Sequence, residues 1–82
     1  MQTTTYEIHA FWDQEAQVWV AESDQVPGLI TESETMEQLI QKLQVLIPEL
    51  LEANGLLRGN TSPEIPFHVL SERLEMAYCR IN

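Results

Sequence analysis

The chain has 82 residues, enough for one domain over residues 1–82, and 44% of them are hydrophobic, which implies a packed core rather than disorder. Thirteen acidic residues against four basic ones give a formal net charge of −9; Lys42, Arg58, Arg73 and Arg80 are too few and too scattered to track a nucleic-acid backbone. No apolar run is long enough to span a bilayer, and MQTTTYEIH is not built like a secretory signal, so a soluble cytoplasmic protein without direct nucleic-acid or membrane binding is expected.

Residues 4–12, TTYEIHAFW, read as a strand, DQEA as a turn, and residues 17–22, QVWVAE, as a second strand. Pairing across that turn sets Ala10 opposite Trp19 and Ile8 opposite Ala21, with Trp12 and Trp19 as diagonal neighbours. One face then carries Tyr6, Ile8, Ala10, Trp12, Trp19 and Ala21; the other carries His9, Phe11, Val18 and Val20 between Glu7 and Glu22. SDQVPG follows as a loop in which Pro27 presets a turn and Gly28 can take positive φ, the requirement of a type II turn. Residues 29–32, LITE, make a short third strand.

Thr35 is a good N-cap, with Gln38 placed to complete a capping box and Glu37 at the positive end of the helix dipole. Met36, Leu39, Ile40, Leu43, Leu46, Ile47, Leu50 and Leu51 then form one apolar stripe, predicting a helix over 36–53 ended by Asn54-Gly55. Pro48 interrupts the hydrogen-bond ladder on the polar side, with Glu37, Gln41, Gln44 and Glu52, where water can satisfy the freed Gln44 carbonyl. Residues 56–64 read as a connector and 65–70, IPFHVL, as a fourth strand. The tail SERLEMAYCRIN alternates through Leu74, Met76 and Tyr78, which favours a further strand over a helical turn.

Sites for chemistry are sparse. His9, His68 and Cys79 lack the spacing of a zinc site, and no neighbour activates the cysteine. Carboxylates such as Asp13 and Glu15 fall in turns, and neither phosphate-binding glycine motif is present. No cofactor, metal or catalytic residue is therefore expected. The tryptophans either complete the core against the helix or form an exposed aromatic anchor. One helix covers only one face of a four-stranded sheet, while both faces of this hairpin carry apolar side chains. With a single cysteine excluding an intrachain disulfide, self-association or a protein partner is the support expected for so small a core.

The run D-x-V-P-G-L-I-T-x-S-E-T-M-E-Q-L, from Asp24 to Leu39, resembles the HicB-like antitoxin family. The flanking W-D-x-E-A-x-V-W-V-A (Trp12 to Ala21) and I-P-E-L-L-E-x-N-G (Ile47 to Gly55) are similar to a short HicB-like subfamily catalogued only as a domain of unknown function. The resemblance implies an α+β fold, β-β-β-α-β, an antiparallel sheet with one helix on one face, like a partial ribonuclease H fold without its catalytic carboxylates. It also implies a dimer or tetramer that neutralises a small basic ribonuclease toxin of HicA type by steric occlusion. Glu22, Asp24, Glu32 and Glu34 are then the candidate contacts, with Trp12 or Trp19 as anchor. The family's frequent cysteine after the Pro-Gly turn is Leu29 here, and a chain ending at Asn82 leaves no room for a DNA-binding domain after the fourth strand, so autorepression is not expected. A stand-alone homo-oligomeric module is the alternative. A metal-dependent nuclease, suggested by the ribonuclease H likeness, would need converging carboxylates that the spacing does not supply.

Overall fold

Five elements follow one another along the chain: β1 (Tyr6–Asp13), β2 (Val18–Glu22), β3 (Ile30–Ser33), α1 (Met36–Ala53) and β4 (Phe67–Glu72). The structure, a computed structural model, describes residues 4–57 and 64–80. The connector expected over 56–64 thus lies mostly outside the described residues.

The strands form one sheet in the order β3-β2-β1-β4. The expected β-β-β-α-β order with a single helix holds, but the sheet is mixed rather than antiparallel throughout. β1–β2 and β2–β3 are antiparallel, whereas β4 runs parallel to β1. The reason is topological: α1 carries the chain back to the end where β3 began, so β4 must run the same way as β3 and β1.

Local chemistry fixes each boundary. At the β1–β2 turn the Asp13 carboxylate accepts from the amides of Glu15 and Ala16 at 3.0 and 3.2 Å, and Gln17 takes φ 60°. Asp13 therefore closes β1 instead of opening the turn, and β2 starts at Val18. The hairpin pairs Ala10 with Ala21 and Trp12 with Trp19, two residues from the expected register. A slip of two preserves the side-chain alternation, so both faces keep their expected residues.

Leu29 donates to the Val26 carbonyl at 3.1 Å around Pro27-Gly28, and Gly28 has φ 83°, as a type II turn requires. This turn retains Leu29, so β3 begins one residue later than expected. The Gln38 amide donates to Thr35 Oγ1 at 3.1 Å, capping α1. At its other end Leu56 donates to the Leu51 carbonyl and Gly55, at φ 71°, to that of Glu52; this is a Schellman motif. Pro48 is half-buried beside a small cleft shared with Ile65 and Phe67, drier than the expected polar face.

The core lies between α1 and one sheet face. Ile8, Ala10 and Ala21 come from the sheet, Val26 and Leu29 from the loop, and Leu39, Leu43, Ile47 and Leu51 from the helix. Burial of the four helix residues contributes about 6 to 12 kcal/mol gross. That is comparable to the roughly 4 to 12 kcal/mol of net stability usual at this length.

β4 also departs from expectation, spanning 67–72 rather than 65–70. Pro66 has no amide to give, and its carbonyl instead accepts from Tyr6 at 3.0 Å. The last β1–β4 pair is Phe11 with Glu72. β1 ends two residues later, at Asp13, and residues 73–80 pair with no strand, so they are not the strand expected for the tail. They leave the sheet exposed along their whole length.

Candidate functional site

Period-2 alternation and the strand register decide what the uncovered sheet face displays. On it, His9 pairs with Glu22, Phe11 with Val20 and Asp13 with Val18. β3 adds Ile30 beside Glu22 and Glu32 beside Val20, while β4 adds Leu70 beside His9 and Glu72 beside Phe11. The result is an apolar band of Leu70, Phe11, Val20 and Ile30 rimmed by Glu7, Glu22, Glu32 and Glu72. Ile30 is 71% exposed and Leu70 50%, so the band faces solvent in the single chain. His9 Nε2 lies 3.1 Å from Glu7 Oε1 on the same face.

The two tryptophans lie elsewhere. They share the helix-side face with Ala10 and Ala21, are half-buried, and meet edge to face with centroids 5.5 Å apart. The Arg73 guanidinium, arriving from the end of β4, stacks 4.1 Å from the Trp12 ring centroid and 5.8 Å from that of Trp19. Trp12 Nε1 donates to Gln14 at 2.9 Å, and Arg73 pairs with Glu75.

Of the four acidic contacts expected, the structure brings together only Glu22 and Glu32, on the open face. Asp24 lies exposed in the loop after β2, and Glu34 stands at the entry to α1. Glu34 borders a groove of about 950 Å³ between β3 and α1, with Ser33, Gln38, Lys42, Val45 and Leu46. Lys42 Nζ spans the groove to donate to the Glu32 carbonyl at 2.5 Å; the buried Ser33 hydroxyl has no partner among the described residues. Sequence reasoning groups Phe11 with Val20 on one hairpin face without deciding which face is open, and misses Ile30, Leu70 and Arg73. Their roles depend on the β3 and β4 registers, which only the paired sheet defines.

Among the described residues no three His, Cys, Asp or Glu side chains converge as metal ligands would, and no helix is long and apolar enough to cross a membrane.

Comparison with known proteins gives a fold relative and a family. A crystal structure of hypothetical protein TTHA1013 from the extremely thermophilic bacterium Thermus thermophilus is similar, with 46% sequence identity and a TM-score of 0.67, over 93% of this chain and 100% of that one. No curated protein matches. The family model described as Domain of unknown function (DUF1902) matches residues 5–79, and the chain belongs to that family.

Proposed function

We propose that this protein is a HicB-like antitoxin, a non-enzymatic cytoplasmic binding protein that inhibits a small basic ribonuclease by occluding it. The observation that carries the reading is the open sheet face, where Leu70, Phe11, Val20 and Ile30 offer an apolar strip inside a ring of glutamates. Such a strip supplies contact area, while the ring steers and orients a cationic partner. The net charge of −9 acts in the same sense over a longer range. Glu22 and Glu32 fit the rim of this surface, and Asp24 and Glu34 extend the acidic field at its margins. Trp12 and Trp19 serve instead to brace the sheet end beneath Arg73.

The test is affinity capture from the native cell at low salt, followed by an assay of the captured protein. A stoichiometric small basic protein that cleaves RNA alone, and stops when this chain is added back, is the expected result. Phe11→Ser should abolish that inhibition without unfolding the chain. Recovery of this chain by itself overturns the reading. It would leave the second one, a homo-oligomeric module without a toxin, which the exposure of Leu74, Met76 and Tyr78 favours.

A further inference from the structure

The two edges of the sheet are unlike. β3 is four residues long, is followed by Glu34, and has its Glu32 carbonyl covered by Lys42, the devices by which an edge is kept from pairing with other chains. β4 is longer, at six residues, and no lysine lies over it; the charges it does carry, Glu72 and the Arg73 that follows, are opposite in sign. Among the described residues it pairs only with β1, and from Phe67 onward the described chain has no proline, glycine or lysine.

β4 is moreover prolonged by residues 73–80, which reach about 26 Å if extended. The molecule measures 66 × 25 × 19 Å with a radius of gyration of 16.1 Å. A compact domain of this length has about 12 Å. Along the projecting arm Leu74, Met76 and Tyr78 are 80%, 65% and 88% exposed. An isolated arm that leaves three large apolar side chains in water gains nothing from its alternation.

We infer that the arm is half of a dimer interface, and that its occupant is a second copy of this chain. Two copies pair β4 and arm antiparallel about a twofold axis perpendicular to the sheet, joining the sheets through eight strands. Such an axis keeps both open faces on one side, so facing residues must share parity. The charges then select the register. With Leu74 against the partner's Leu74, Arg73 faces the partner's Glu75, Leu70 faces the partner's Tyr78 and Glu72 faces the partner's Met76. Moving the axis one residue either way sets Arg73 against its own mate or Glu75 against its own, a like-charge pair. Arg73 is already fixed over Trp12 and beside Glu75, so its guanidinium is held on the face where the partner's carboxylate arrives. The assignment does not depend on what the open faces bind.

Sedimentation of the full chain at micromolar concentration should give twice the chain mass. Leu74→Ser, Met76→Ser and Tyr78→Ser together should raise the dimer dissociation constant by at least about 100-fold. All three residues are exposed in the single chain, so each copy should keep its far-ultraviolet spectrum. In a Cys79→Ser background, Leu74→Cys should form a disulfide-linked dimer under mild oxidation, because a disulfide needs α-carbons within about 7 Å. Tyr78→Cys should not, its own mate lying about 26 Å away. A monomeric full chain, a dimer indifferent to the triple substitution, or equal cross-linking by Leu74→Cys and Tyr78→Cys would each overturn the assignment.

Discussion

Gly28 occupies φ 83°, and a β-carbon there would meet only Leu50 Cδ2 at an ordinary 3.7 Å. The difficulty for any other residue is thus the backbone, not space. Gly28→Ala should cost about 1 kcal/mol, measured by urea denaturation, and Gly28→Asn less, since asparagine tolerates this region better. Thr35→Ala should cost about as much through loss of the cap on the Gln38 amide. Both positions are legible in the sequence because their chemistry is local, spanning two or three neighbours. Arg73 is the opposite case. Its place over Trp12 joins positions 61 residues apart through the β4 register, which no local pattern encodes. Arg73→Ala should lower stability by only about 0.5 to 1 kcal/mol, yet alter tryptophan fluorescence, because the charge stacked on the indole is gone.

Among the elements, α1 is the most legible in the sequence and the sheet pairing the least. The helix has its cap, stripe and terminator in one continuous segment, so period and punctuation agree. Leu39, Leu43, Ile47 and Leu51 are fully buried along it, and Leu43→Ala should cost about 2 to 5 kcal/mol. Against a net stability of roughly 4 to 12 kcal/mol that is enough to lower the melting temperature steeply. The hairpin register and the β4 bounds differ from expectation by two residues for a definable reason. Asp13 looks like a turn residue but uses its carboxylate to hold the turn from the last strand position, and Pro66 looks like part of β4 but ends the connection before it. The hairpin slip is even-numbered, so Phe11 and Val20 stay together on one face, though the sequence does not say that it is the open one. The full band needs β3 and β4 in place. Phe11→Ser, on the less buried side of β1, should cost on the order of 1 kcal/mol through its lost pairing with Val20 while disabling the proposed docking, a smaller loss than that of Leu43→Ala that calorimetry and a binding assay together resolve.

At the scale of the molecule, one variable acts on folding and, under the proposed function, on partner capture with opposite signs. Thirteen acidic residues share a small surface with four basic ones, and Glu7, Glu22, Glu32 and Glu72 crowd around a single band. Their mutual repulsion opposes the compact state. Salt screens it over a Debye length of about 10 Å at 0.1 M. Raising sodium chloride from about 10 mM to about 300 mM should therefore stabilise the free chain, by on the order of 1 kcal/mol. The same ions would weaken the field on the proposed cationic partner, so association should slow by at least about tenfold over that range. Dissociation should change less, because the apolar band, not the rim, holds the complex once formed. Stopped-flow association and urea titration on the same samples check both. Were capture equally fast at the two salt concentrations while stability rose, the charge would be serving solubility alone and the partner would not be a basic protein. If both signs appear, replacing Glu22 and Glu32 by glutamine should remove part of the salt dependence of association and leave the urea midpoint at low salt higher than that of the native chain.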